Sequence, residues 1–320
     1  MTALSKYENM APKWDAPVII EAHINGARTK EMNPNLPMMH DELAADAIAC
    51  LDAGAAAVHA HNTNYWLKGE AAADDYLKTW NKVFEKYPDA IMYGSTCAIS
   101  ELTADEHGLE HVEFIHNKLK EKDAGVNGSK LCVIDNGIMN LGRLIDENGY
   151  IKGITHGYSY DRLNAQVEMC RRCNMGIIFS VFEPGFMRLA LHYEKMGLTP
   201  KGSSLDIYLM GDYGLLASVP ANTTGMPATL ESLYYYMYMM ENTKMPWFVS
   251  IWGAGSEAEI PIMKRVIELG GHLKIGLEMH WDPVHKPTNV ELLKQAQKIA
   301  KEVGRPIATR DDALKIYGLK

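Results

Sequence analysis

Eight short apolar runs of strand length recur along this 320-residue chain, and amphipathic stretches of helical length lie between them. The runs are PVIIEAHI (17–24), AAVHAH (56–61), AIMYGST (90–96), LCVIDN (131–136), GIIFSVF (176–182), LDIYLMG (205–211), WFVSIW (247–252) and HLKIGLE (272–278). Stretches such as HDELAADAIACLDAG, AADDYLKTWNKVFEKY and NVELLKQAQKIAKEVG separate them, several opened by acidic or Ser/Thr/Asn residues and closed by Gly. Strands joined through a helix run parallel, with the helix as the crossover. Eight such units in about 300 residues predict a single (β/α)8 TIM barrel over residues 17–320, preceded by a short N-terminal extension at 1–16. A doubly wound sheet is the alternative, yet no run is followed by a GxGxxG or P-loop signature.

With 47% hydrophobic and 22% charged residues, the chain can bury a large core. A net charge of −8, with Lys and Arg scattered among acids, offers no basic stripe and argues against nucleic acid as a partner. No apolar run approaches the eighteen or so residues of a membrane span, and the first residues lack a signal-type apolar core. A cytoplasmic protein with no membrane partner is the expectation. Five cysteines form an odd, sparse set that points to reduced thiols, and the pair Cys170 and Cys173 reads as the end of a helix.

In a TIM barrel the chemistry gathers where strands end and βα loops begin. The second run ends Val58-His59-Ala60-His61, and strand alternation places His59 and His61 on one face. By the same rule Glu21, His23 and Asn25 share a face of strand one, and His272, Lys274, Gly276 and Glu278 share a face of strand eight. Barrel closure makes strand eight the neighbour of strand one and strand one that of strand two, so these side chains converge. A buried polar row of this kind needs partners or a metal to offset its desolvation. Two imidazoles and a carboxylate suit catalytic zinc, and iron or manganese tolerates similar donors. Lys274 is placed to hold a substrate carboxylate, and Asn25 is expected to bind substrate with it.

These residues carry a family resemblance. The stretch NGARTKEMNPNLPMMHDELAADAIACLDAGAAAVHAH, the later YGST and GGHLKIGLE, and the C-terminal IAKEVGRPIAT resemble the β-keto acid cleavage enzymes, in the family's order and spacing, from about residue 17 onward. The loops around 62–70 and 139–160 fit least. The resemblance implies a (β/α)8 barrel, usually a homo-oligomer, with zinc held by His59, His61 and Glu278. It also implies a reaction of a β-keto acid with acetyl-CoA that yields acetoacetate and a new CoA ester, with Ser95 helping to hold the keto acid.

Several positions depart from the family pattern. Its strand-eight Arg is Lys274 here, and the aspartate after its glutamate, base or relay of base, is Met279. An acidic residue after the strand-one Gly-Ala is Arg28, and the usually small strand-one positions hold Glu21 and His23. The expectation is that His23 or Glu21 replaces the missing base, with orientation of His59 or His61 as their other role; His280 and Asp282 are weaker candidates. Three readings remain open: a metal-dependent β-keto acid cleavage enzyme, a metal-dependent hydrolase or lyase on another carboxylate or carbonyl substrate without CoA, and a silent barrel that binds a small ligand. The aromatic, Met-rich helix SLYYYMYMMENTKMPW reads as outer layer or subunit interface.

Overall fold

The structure, a computed structural model, describes residues 4–96, 102–121, 129–217 and 219–320. Its strands are β1 (Ile20–His23), β2 (Val58–His59), β3 (Met92–Tyr93), β4 (Leu131–Ile134), β5 (Ile138–Ile145), β6 (Ile151–Gly157), β7 (Gly176–Val181), β8 (Ser204–Met210), β9 (Met226–Pro227), β10 (Trp247–Trp252) and β11 (His272–Ile275). Its helices are α1 (Ser5–Glu8), α2 (His40–Asp52), α3 (Gly69–Lys86), α4 (Glu110–Glu121), α5 (Tyr160–Cys173), α6 (Pro184–Lys195), α7 (Leu230–Met239), α8 (Ser256–Glu268), α9 (Asn289–Val303) and α10 (Arg310–Tyr317).

Eight parallel strands form a nearly closed barrel in the order β3, β2, β1, β11, β10, β8, β7, β4, with helices between them and β3 and β4 side by side at the seam. This is the predicted (β/α)8 TIM barrel, with seven barrel strands inside their apolar runs and β8 starting one residue ahead of its own. Strands β1, β4, β7 and β8 are buried at every position, because one face lines the interior and helices cover the other. The helices stop where the chain supplies the chemistry. In α9, Thr288 and Glu291 form a capping box and Gly304 ends the helix at φ 84°; in α10, Thr309 and Asp312 do the same, ending at Gly318.

The core has two main parts among the described residues, beside a small cluster of Leu36, Leu277 and Leu292. One fills the layer between sheet and helices. The other, built by Ile19, Ile91, Leu131, Ile178 and Phe248, lies with Tyr317 of α10, whose ring stacks on Phe248 at 5.6 Å. Helix α10 thus covers the end of the barrel where the strands begin and leaves their C-terminal ends as the mouth. The N-terminal extension packs on α8, where Arg265 donates to the carbonyls of Tyr7, Glu8 and Met10.

Two local expectations need correction. The region around 139–160 is not a plain loop: β5 and β6 form an antiparallel hairpin, with a register shift between Gly142 and Leu144. Its turn carries the signal in Asn148-Gly149, where Gly149 sits at φ 85° and Asp146 Oδ1 accepts from the Asn148 and Tyr150 N–H groups. Strand eight ends at Ile275 and does not continue to 278. Gly276 takes φ 148°, and its backbone passes so close to strand one that a Cβ would stand 2.0 Å from the His23 carbonyl oxygen.

Candidate active site

The turn after Gly276 carries Glu278 back over β1, and Gly26 makes the room: a Cβ at 26 would meet Glu278 Cγ at 2.5 Å. Glu278 therefore reaches the site by a glycine-permitted turn and not by strand alternation. Arg28 fastens this turn from strand one's loop, its buried guanidinium donating from Nε to the Glu278 carbonyl at 3.1 Å and from Nη2 to Gly214 and Met279 carbonyls.

Three histidines surround the Glu278 carboxylate. His61 Nε2 lies 2.7 Å from Oε1, while His23 Nδ1 and His59 Nε2 lie 3.1 Å and 3.5 Å from Oε2. One ligand atom each from His23, His59 and Glu278 falls within 4.8 Å of the others. Burial pushes the Glu278 pKa up, but the charges of His61 and His59, then the contacts of His23 and His59 with the carboxylate, hold it well below the carboxylate range. Burial, then the neighbouring His59, pushes His23 down to about 3. The buried Nδ1 atoms of His59 and His61 have no hydrogen-bond partner. Imidazole nitrogens gathered around a buried carboxylate are a donor set that fits a divalent metal.

Below this cluster the polar row continues into the barrel. Tyr93 donates to Glu21 Oε2 at 2.5 Å, and its oxygen lies 3.0 Å from His23 Nε2. Tyr317 donates to Glu21 Oε1 at 2.6 Å. The Lys274 ammonium is 3.2 Å from Asp206 and 3.7 Å from Glu21, and Ser250 donates to Asp206. Glu21, Asp206 and Lys274 have no exposed side-chain surface. Two residues expected at the substrate thus face interior partners: Lys274 lies against the acids Asp206 and Glu21, and Glu21 accepts from two phenols. Burial and the Glu21 charge push the Tyr93 phenol well above its ordinary pKa.

At the rim, the amide of Asn25, also expected to bind substrate, accepts from the His61 N–H at 2.7 Å and donates to the His61 carbonyl, so it holds the His61 backbone. Ser95 is half-buried at the end of β3, its backbone gripped by Tyr76 and His111. Met279 is buried in the core, His280 pairs with Glu259 behind the wall, and Asp282 accepts turn N–H groups.

The mouth also holds a pair that sequence reading missed. His156, from the hairpin, meets Asp135 at the end of β4, with Nε2 2.8 Å from Oδ2; Thr96 donates to the same oxygen. Burial raises Asp135, but His156, Ser180 and Thr96 outweigh it and hold its pKa low. Burial, then Asp206 and Asp135, push the nearby Tyr208 phenol well above its ordinary pKa, and its oxygen lies 3.3 Å from Ser180 Oγ. The signal for His156 lay in the Asn-Gly turn, which makes 138–157 a hairpin able to swing a histidine inward.

Fold and site define a TIM-barrel protein with a candidate His-His-Glu metal centre at its strand ends. The chain belongs to the beta-keto acid cleavage enzyme family, whose model matches residues 17–319. It is 27% identical over 311 residues to a 3-keto-5-aminohexanoate cleavage enzyme of Fusobacterium nucleatum subsp. nucleatum, covering 95% of this chain and 98% of that one. An enzyme of the same name from Acetoanaerobium sticklandii is 24% identical over 310 residues, covering 94% and 98%. In fold the chain is similar to a ternary complex of ObcA with a C4-CoA adduct and oxalate, at a TM-score of 0.58 and 14% identity, covering 89% of this chain and 68% of that one. It is similar also to a type I 3-dehydroquinate dehydratase from Clostridium difficile, at 0.51 and 8% identity, covering 92% and 97%. No helix among the described residues is long and apolar enough to cross a membrane.

Proposed function

We propose that the protein cleaves a β-keto acid with acetyl-CoA, giving acetoacetate and a new acyl-CoA, at a divalent metal held by His59, His61 and Glu278. The observation that carries this reading is the crowding of imidazole nitrogens around the Glu278 carboxylate, in a chain of this family. Zinc matches the donor set best; when bound, it polarises a carbonyl oxygen and stabilises the negative charge that cleavage develops there. Asn25 keeps His61 in place through its backbone, and Arg28 keeps Glu278 in place through its carbonyl. The Ser95 hydroxyl, at the rim, hydrogen-bonds the keto acid.

Proton handling falls to His156. With Nε2 paired to Asp135, its Nδ1 is left to take a proton from substrate, the arrangement of an oriented general base. This assignment replaces Glu21, whose oxygens are occupied, and follows from Met279 lying in the core. The cytoplasmic location expected from the sequence and the homo-oligomeric state that the resemblance implies belong to the same reading.

The sunken Lys274 and the missing aspartate favour one alternative: cleavage or hydrolysis of another carboxylate or carbonyl substrate without CoA. Zinc-loaded protein is assayed on a panel of β-keto acids with and without acetyl-CoA, with acyl-CoA products followed by mass spectrometry. Acetyl-CoA-dependent formation of acetoacetate is the expected result. Turnover that ignores acetyl-CoA selects the alternative.

A further inference from the structure

The family pattern leaves His23 without a role, and its strand-one position is commonly small. Its two ring nitrogens face different neighbours: Nδ1 faces Glu278 Oε2 at 3.1 Å and Nε2 faces the Tyr93 oxygen at 3.0 Å. The hydrogens can be counted. Glu21 receives two phenols, Tyr93 at 2.5 Å and Tyr317 at 2.6 Å, and has an ammonium 3.7 Å away, so it is an acceptor on every side. Tyr93 has a single hydrogen and spends it on Glu21, so its oxygen accepts and the hydrogen between Tyr93 and His23 belongs to Nε2. A neutral imidazole with its hydrogen on Nε2 has a lone pair on Nδ1. That lone pair points at a carboxylate oxygen, which is also an acceptor.

We propose that His23 is a further protein ligand of the metal, through Nδ1, and that Tyr93 and Glu21 are positioning residues that fix its tautomer and ring orientation. The inference rests on the metal reading above and deepens it: the centre has three imidazoles and one carboxylate, one ligand more than the resemblance implies. The buried acids and tyrosines under the site then have a purpose. Lys274 is the counter-charge of Glu21 and Asp206, Glu21 orients Tyr93, and Tyr93 orients His23, in the way that metal-bound histidines are generally held by a partner on their other nitrogen. Register supports the geometry, because His23 pairs with His59 across β1 and β2, and their rings lie 4.5 Å apart.

The test uses full-length protein stripped of metal and titrated with zinc against a competing chelator, with cobalt(II) substitution to report coordination and ¹⁵N-histidine NMR to locate ring protons. In wild type, His23 is expected to carry its hydrogen on Nε2 with Nδ1 bound to zinc. Tyr93→Phe, which keeps the ring, is expected to weaken zinc binding about 10- to 100-fold while the thermal unfolding of metal-free protein stays near wild type. His23→Ala is expected to weaken it further and to shift the cobalt absorption bands. Zinc affinity unchanged in Tyr93→Phe, or a hydrogen on His23 Nδ1 in the zinc-loaded protein, overturns the inference and leaves His23 a hydrogen-bond partner of Glu278. Wild type that binds neither zinc nor cobalt overturns the metal reading itself. Should His23→Ala not fold, Tyr93→Phe and the NMR decide alone.

Discussion

Gly26 and Glu278 occupy one small volume: a methyl group on the first would sit 2.5 Å from Cγ of the second. The carboxylate at the centre of the site owes its position to a missing side chain 252 residues away in sequence, numbers 26 and 278 being the two positions concerned. Gly26→Ala is therefore expected to displace Glu278 and reduce zinc affinity at least about tenfold, with the barrel still folded. Zinc titration and circular dichroism check this. Wild-type affinity in the variant would show that Glu278 is not held there.

The His156 pair separates chemistry from metal binding. His156→Gln is expected to lower kcat about a hundredfold or more at full zinc occupancy, since an oriented base contributes that much. Asp135→Asn is expected to lower it less and to alter the acid limb of the kcat/KM profile. An unchanged kcat in His156→Gln removes the pair from the mechanism.

Lys274 is expected to act on stability and not on substrate. Its ammonium is the counter-charge of Glu21 and Asp206, so Lys274→Met leaves two buried carboxylates unbalanced, a loss of about 3 to 5 kcal/mol. Chemical denaturation measures it. A variant of wild-type stability with a raised KM for the keto acid would put Lys274 back at the substrate.

Stability is expected to fall on acidification below about pH 6.5. Burial pushes His272 down to about 3 and His111 down to about 4, so both stay neutral when folded and take up protons on unfolding. The unfolded chain then binds more protons between these values and the ordinary histidine pKa, and stability drops by up to about 1.4 kcal/mol per pH unit for each group. His272 Nδ1 also accepts the Ile19 N–H at 2.9 Å, a bond that protonation would break. Denaturation midpoints at pH 7, 6 and 5 test this; equal midpoints would mean that the two histidines titrate normally.

Ser95 is expected to affect substrate and not metal. Ser95→Ala should raise KM for the keto acid several-fold, about 1 kcal/mol for one hydrogen bond, with zinc binding unchanged. An unaltered KM would take the hydroxyl out of the substrate contact.

The chain's own pattern determined the architecture and the address of the site. Apolar runs such as LDIYLMG and WFVSIW, each separated by a capped helix, admit parallel strands alone, and that alternation places His59, His61 and Ser95 at strand ends because neighbouring residues set it. The tertiary structure decided the roles, since these depend on which distant groups share a volume. Alternation put Lys274 and Glu21 on the interior face, but whether an interior charge meets substrate or another charge depends on depth, and there Asp206, Tyr93 and Tyr317 arrive from β8, β3 and α10. Alternation likewise carried Glu278 along a strand that in fact ends at Ile275, and the turn at Gly276 is set by contact with the His23 carbonyl. His156 is adjacent to Asp135 only because a hairpin folds back over the mouth, a contact that sequence distance hides. Periodicity is a local property and can be read from the chain, whereas the partner of a buried charge is a non-local one that only the packed barrel supplies.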